Sequence, residues 1–566
     1  MASFTLRQIS SLEKVRLSDP VIDREVLHKR VFRKERFSYQ IAFWDQSNYL
    51  TELRIRIQSP LADCITAYKV VNAPMDLPTY PFCKDTDYIT KEPGLMPDIL
   101  VPLEDHNHIL QVMSGSAGSL WIRLDIPEDL APGTYPVTVS AEKITEYEMS
   151  SKGPAGPDPE ILERTMTLEV LPFTVPEQDL IFTQWFHTDC IATAHRVDVY
   201  SEAHWALIDK YMACAADTGI NMLLMPVITP PLDTMYGVYR PCVQLVDIEK
   251  QGDVYAFNFD KVRRWISLCK KNGIRYYETA HLFSQWGMIH TPNIMVRENG
   301  KTDYLFHWGV PSGSPEYTHF LQQFLPALIR VLEEEGVAPY TYFHISDEPS
   351  GEHIATYERI AAMVRPLLGE IKLMDALSHY EFYERGLLDV PVSCISKIEP
   401  FLAHKIENQW AYYCCSQHEK VSNRFLAMPS RRNRIIGLQL YKYRIQGFLQ
   451  WGFNYYNSRS SAYPINPYST TSSDLTFPSG DPFSVYPGQD GPLLSLRTLV
   501  FYDALQDIGL CRMLEEKIGH DGVVSLMEEA AGMEITFDAY PKTEEFLPDL
   551  REKLIDSICG DIAALS

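Results

Sequence analysis

Basic residues are scarce in this chain: 51 Lys and Arg stand against 74 Asp and Glu, a net charge of −23 over 566 residues. Such a balance repels phosphate backbones and anionic bilayers unless a local basic patch overrides it. The candidate patches, Arg431-Arg432-Asn433-Arg434, His28-Lys29-Arg30 and Arg33-Lys34, are short and read as solvated helix or strand surface, so no nucleic-acid partner is expected. Long apolar runs are missing too. The opening MASFTLRQISSLEKVRLSDP lacks the apolar core of a signal peptide, and no later stretch reaches membrane-spanning length. No membrane association is expected. Cysteine pairing is absent as well: the 11 cysteines, an odd number, show no CxxC or zinc-finger spacing and include the neighbours Cys414-Cys415. They read as reduced, mostly buried thiols of a cytoplasmic protein without structural zinc.

What the chain does have is material for large cores, with 45% apolar and 22% charged residues, and a generous 12% of aromatics. Aromatic faces serve as platforms for the C–H surfaces of sugars, although tyrosine-rich strands and ordinary packing account for the same composition. Residues 1–176 carry short alternating segments such as 37–43, 53–57, 120–126 and 135–139, punctuated by Pro, Gly and Asp. Period-two alternation of this kind predicts an antiparallel β-sandwich with one solvated face. The stretch 150–160, SSKGPAGPDPE, reads as an exposed loop, and Leu171-Pro172-Phe173-Thr174-Val175-Pro176 as a linker.

From about residue 177 the rhythm changes. Strand-like runs at 181–185, 221–225, 275–279, 340–345, 372–376, 392–395, 410–414 and 447–451 alternate with helical segments at 202–218, 260–272, 315–335, 353–368 and 432–444. Parallel strands need a crossover each, so the series predicts an α/β fold, a (β/α)8 TIM-like barrel spanning 177–517. The alternative, an open doubly wound sheet, lacks the glycine-rich phosphate turn after its first strand. No cofactor is expected. A Pro/Ser/Thr/Tyr-rich loop at 457–492 precedes a helix at 495–517, and 518–566 reads as a small helical appendage.

In such a barrel the chemistry sits where strands end. Strand four ends in His344-Ile345-Ser346-Asp347-Glu348-Pro349. Two adjacent carboxylates repel, which raises one pKa and keeps a proton available for a glycosidic oxygen. An Asp that merely caps the next helix, beside an exposed Glu, is the bland alternative. Strand alternation also sends neighbours to opposite sides, so both acids reach one ligand only if the strand breaks there. The other rims add Trp185 and His187 after strand one, His281 and Trp286 after strand three, Tyr412 on strand seven, and Trp451 and Asn454 at strand eight. Each is a candidate sugar contact and each could equally be core. His187, His281 and His344 also suggest a metal site, but paired histidines on strand one are absent, and no metal is expected. A glycosidase usually needs a second carboxylate. Strand seven, Gln409-Trp410-Ala411-Tyr412-Tyr413-Cys414-Cys415, carries no acid, which leaves Glu278, Asp375 and Glu399 as substitutes or favours a nucleophile supplied by the substrate.

Those motifs carry a resemblance. The stretch LWIRLDIPEDLAPGTYPVTV, the strand end ISDEP and the block GFLQWGFNYYN…FPSGDPFSVYPGQDGPLLSLR resemble glycoside hydrolase family 123, whose characterised members are β-N-acetylgalactosaminidases. The resemblance covers the chain to about residue 510. It implies an exo-acting retaining enzyme in which Asp347 orients a 2-acetamido nucleophile, Glu348 serves as acid and then base, and Trp451 and Asn454 help form the sugar site. The implied partner is a carbohydrate; an imported oligosaccharide or glycoside suits a cytoplasmic enzyme better than an intact glycolipid. Two rival readings remain: a barrel glycosidase for a sugar without the acetamido group, using Asp375 or Glu278, and a non-catalytic carbohydrate-binding protein.

Overall fold

The computed structural model describes residues 4–18, 24–45, 50–144 and 160–560. The loop expected at 150–160 lies outside the described residues except for its last position. Two five-stranded sheets open the chain. The first runs in the order Phe4–Ser10, Arg36–Asp45, Ala117–Asp125, Ile65–Met75, Gly94–Pro102, and the second His28–Arg33, Ile161–Thr174, Gly133–Ile144, Leu50–Gln58, Ile109–Met113. Their facing side chains, among them Ile41, Leu120 and Ile122 from the first and Leu53, Val139 and Leu168 from the second, form one core.

Two expectations for this region need correction. The sheets are not wholly antiparallel, because His28–Arg33 pairs parallel to Ile161–Thr174. That strand enters at a sheet edge after a crossover, where no hairpin dictates its direction. Nor does the first sheet have a solvated face. Tyr68, Leu100 and Trp121 point away from the sandwich and join the barrel's core, and Arg36 and Arg123 both bond Asp217 on the barrel at 2.7–2.8 Å. The expected solvated face belongs to the second sheet, where Leu50–Gln58 alternates buried and open positions.

All eight expected barrel strands are present and close on one another in parallel: Ile181–Gln184, Met222–Met225, Tyr276–Thr279, Thr341–Phe343, Lys372–Leu377, Val390–Cys394, Trp410–Tyr412 and Gly447–Gln450, numbered one to eight below. Strand one pairs with strand eight, which removes the free edges. The helices between them form for local reasons. In Asp260–Lys271 the buried residues Val262, Trp265, Ile266 and Cys269 recur at helical spacing, and the Ser201 hydroxyl caps Glu202–Asp217 by accepting from the His204 amide. The crossovers after strands five and six carry only the single turns Glu381–Glu384 and Glu399–Ala403.

A further four-stranded sheet, Val254–Asn258, Asp247–Gln251, Ile294–Glu298 and Lys301–Phe306, is inserted after strands two and three. It was not expected, although Asn299-Gly300, both at positive φ, is a strong hairpin signal between its last two strands. The loop at 457–492 packs inward rather than standing free. Asp76, just past the first sheet's strand Ile65–Met75, accepts from Thr470, Ser472 and Ser479, and a Cβ on Gly452 would sit 2.3 Å from the Pro482 carbonyl. The last helices complete the seam. Leu496–Ala531 bends at Gly519, Phe546–Cys559 follows, and Leu550, Leu554 and Ile555 enter the barrel's core while Arg551 bonds Glu35 of the sandwich. No helix among the described residues is long and apolar enough to cross a membrane. The 11 cysteines are unpaired, five buried and six half-buried.

Candidate active site

Strand four is a buried triplet, and its pairing stops before the two acids. Glu348 adopts φ +45°, in the left-handed region that costs a branched or long side chain about 1–3 kcal/mol. This break ends the alternation that would send Asp347 and Glu348 to opposite sides. It is held by two backbone bonds: the Glu348 amide donates to the Ala376 carbonyl on strand five, and the Trp286 amide donates to the Asp347 carbonyl, each at 3.0 Å. Both acids are half-buried. The Tyr412 hydroxyl, brought by strand seven, donates to Glu348 Oε1 at 2.5 Å. Asp347 is lifted well above the usual carboxylate range, by desolvation first and then by the negative charges of Glu348, Asp233 and Asp375; His344 pulls the other way.

Beneath this rim lies a paired layer. His344, fully buried, shares its Nδ1 with Asp375 at 3.1 Å and its Nε2 with Glu278 at 3.0 Å. Burial works against its charge, yet the two carboxylates outweigh it and raise the imidazole to about 9. Asp375 also receives the Tyr357 hydroxyl at 2.6 Å and the Ser346 amide, and Glu278 receives the Thr183 hydroxyl and the Trp185 indole. His281 stacks on His344 with centroids 4.2 Å apart and is held neutral, far below the ordinary imidazole range, by burial and then by its charged neighbour. His281, His344 and Asp375 each place a ligand atom within 4.8 Å of the others, the spacing of a metal site. Stacked rings aim their lone pairs side by side, and both His344 nitrogens are engaged, so the trio suits a charge-neutralising cluster better than an ion.

The sequence candidates separate into two groups. Tyr412 bonds the Glu348 carboxylate directly, and Trp286, bonded through its backbone amide to the Asp347 carbonyl and also at positive φ, is 54% exposed. Trp451 is buried behind the rim, its indole donating to Asp481 at 2.9 Å and its ring against Phe477 and Tyr455. The others face inward. Trp185 is 2% exposed beneath the rim, edge-on to His281. His187 accepts from Arg240 at Nδ1 and donates from Nε2 to the Trp451 carbonyl, so both ring nitrogens are spent; burial and then Arg240 push it down to about 3. Asn454 exchanges two bonds with the His187 backbone, tying strand one to strand eight. Glu278 and Asp375 are consumed by His344, and Glu399 is exposed on its short helix.

One residue at the rim escaped the sequence reading. Asp233 follows strand two in Pro230-Pro231-Leu232-Asp233, half-buried at φ +43°, with its carboxyl raised to about 7 by desolvation and then by Glu348, against the pull of Arg240. It lies eight residues past the end of strand two at Met225, in a loop that no local pattern ties to the acid pair. Buried Asp481, behind Trp451, is likewise raised to about 7, chiefly by desolvation. The rim thus gathers a Tyr-bonded Glu, an Asp inclined to hold a proton, a third acid and exposed aromatic surface. That arrangement can donate a proton, stabilise a developing positive charge and bind hydroxyl groups.

Comparisons with known proteins agree with this geometry. Residues 185–514, more than half of the chain, match the family model "Glycoside hydrolase 123, catalytic domain". A solved family 123 glycoside hydrolase from Clostridium perfringens, reported for glycolipid glycan hydrolysis, is 15% identical and superposes with TM-score 0.72, covering 98% of each chain. At that identity it shows the shared fold alone. A family 5 mannosidase from Rhizomucor miehei, 11% identical over 59% of this chain and 95% of its own, reaches a TM-score of 0.29, too low to carry an argument. No curated protein matches. A closed parallel barrel, an acid-lined rim and a catalytic-domain match over most of that barrel lead to one conclusion: the chain belongs to glycoside hydrolase family 123 and is a glycosidase that acts on carbohydrate.

Proposed function

We propose that the enzyme is an exo-acting β-N-acetylhexosaminidase, preferring N-acetylgalactosamine, that retains anomeric configuration through the substrate's own acetamido group. The observation that carries this reading is the end of strand seven. In many two-carboxylate barrels that position supplies the second acid; here it supplies the Tyr412 hydroxyl, bonded to Glu348. The substitutes on strands three and five are spent on His344. Glu348 gives its proton to the glycosidic oxygen as that bond breaks, and the acetamido oxygen attacks the anomeric carbon. Asp347, whose proton affinity the acids around it raise in the free site, gives that proton up once the amide N–H and the positive charge developing on the oxazoline ring face it, and as carboxylate stabilises both. Glu348 then takes a proton from water, whose oxygen opens the ring. The galactosamine preference rests on the family resemblance.

A panel of aryl β-glycosides with and without the 2-acetamido group tests this. Cleavage confined to the acetamido sugars, with inhibition by a thiazoline that mimics the cyclic intermediate, is the expected result. Efficient cleavage of plain galactosides or glucosides, untouched by the thiazoline, overturns it.

A further inference from the structure

Asp233 shares with Asp347 a bonded backbone and a carboxylate that no hydrogen bond reaches among the described residues. Its amide donates to Gln285 Oε1 at 2.5 Å, and its carbonyl accepts from the Tyr455 hydroxyl at 3.2 Å and from the Ser461 hydroxyl at 2.8 Å. The neighbour of Gln285 is Trp286, whose amide holds the Asp347 carbonyl, so loops two, three and four are laced together around the acid pair. Tyr455 in turn packs its ring against Trp451, with centroids 5.1 Å apart. Among the described residues no hydrogen bond or ion pair reaches the Asp233 carboxylate, whereas Asp189, Glu278, Asp375 and Asp481 all have side-chain partners. A half-buried carboxylate without donors is costly unless something else supplies them. Its φ of +43° lies in the left-handed region, which Asp adopts more readily than most residues.

We infer that Asp233 is a substrate-binding residue whose carboxylate accepts hydrogen bonds from ring hydroxyls of the sugar presented to Asp347 and Glu348. Hydroxyl groups are the donors that a sugar brings to this rim, and Trp286, exposed beside Gln285, offers an aromatic surface for its C–H face. Its raised proton affinity, near neutrality, fits a group waiting for donors. This inference deepens the glycosidase reading proposed above and rests on it.

The test crosses a substitution with substrate deletions. The wild-type enzyme and Asp233→Asn, a residue that tolerates the left-handed backbone, are assayed on the aryl 2-acetamido-galactoside and on its 3-, 4- and 6-deoxy analogues. Wild type should lose roughly 10- to 100-fold in kcat/KM on at least one analogue, and the variant should lose a similar factor on the parent sugar. On that analogue the variant should lose much less than the wild type does, because only the weaker, uncharged bond to the Asn oxygen remains to be removed. Equal losses for the variant on all four sugars, or no loss at all, overturn the assignment. So does a shift of the pH profile without any deoxy dependence, which marks Asp233 as a modulator of Glu348. Formation of a glycosyl azide by Asp233→Ala with added azide overturns it in favour of a nucleophile. If the wild type cleaves only glycosides without the acetamido group, the proposed function fails instead, and the same cycle on the matching deoxy series still decides the role of Asp233.

Discussion

Glu278 and Asp375 lie inside the barrel, each bonded to His344, while Asp347, Glu348 and Asp233 lie beyond the strand ends, where among the described residues Tyr412 is the one side chain that donates to their carboxylates. The two layers both gather acids from the barrel strands and the loops that follow them, and treat them in opposite ways. Inside, a single buried imidazolium is shared by two carboxylates, and hydroxyls and amides occupy much of their remaining capacity. At the rim, like charges are left facing one another, and desolvation makes the repulsion stronger. Charge compensation below gives a rigid floor; its absence above leaves groups whose missing partners a substrate can supply. A rim of this kind costs stability that activity recovers.

The largest effects should fall on the rim and on turnover. Glu348→Gln or Asp347→Asn should lower kcat on an aryl glycoside by about 10²–10⁴-fold, while thermal melting stays level or rises as repulsion is relieved. A clear fall in melting temperature for either variant would show that the rim acids serve the fold and erase the contrast. The inner layer should respond in reverse. His344→Gln leaves two carboxylates buried without their counter-charge and should cost about 3–5 kcal/mol in urea unfolding. A stability loss under about 1 kcal/mol would mean that the layer is not charge-paired.

Acidity separates the layers further. The His344 imidazole rises from 6.5 to about 9 on folding, so its contribution is fully present below pH 6.5 and disappears as pH climbs through about 9. That shift corresponds to about 3 kcal/mol. His187 moves the other way, from 6.5 to about 3, so its contribution is present above pH 6.5 and is lost as pH falls toward 3. Urea unfolding of wild type and His344→Gln across pH 5–10 should therefore converge at the alkaline end. Parallel curves would place the His344 proton outside the folding equilibrium.

How much of this was legible follows from the range of each interaction. The barrel strands announce themselves because parallel strands buried on both faces are continuous apolar runs such as Met222–Met225 and Gly447–Gln450. Asp347 and Glu348 stand out because a strand end is a local address. Asp233 does not, since what makes it distinctive is a backbone held by residues 52, 222 and 228 positions away. His187 and Asn454 misled for the same reason: both are polar residues at strand ends, but they bond each other across 267 positions and leave little for a ligand. The break at Glu348 was required by alternation, yet its means, a left-handed residue, is a matter of packing between strands four and five. The parallel edge strand His28–Arg33 likewise depends on a crossover that no local pattern records.

The smallest effect concerns the one bond that crosses from strand seven to the rim. Tyr412→Phe removes a hydroxyl that donates to Glu348 and keeps the ring that packs beside it. A donor to the ionised carboxylate stabilises Glu348 after it has given up its proton, so its loss weakens the acid step and strengthens the carboxylate as a base. Turnover should fall by roughly 10-fold on substrates with poor leaving groups, where protonation limits the rate. Aryl glycosides with acidic phenols need little protonation and should be nearly unaffected. The leaving-group dependence of kcat/KM for wild type and variant is the measurement. A uniform loss across leaving groups would move Tyr412 from the proton transfer to sugar binding, and would make the strand-seven end a part of the cleft wall rather than a substitute for the missing acid.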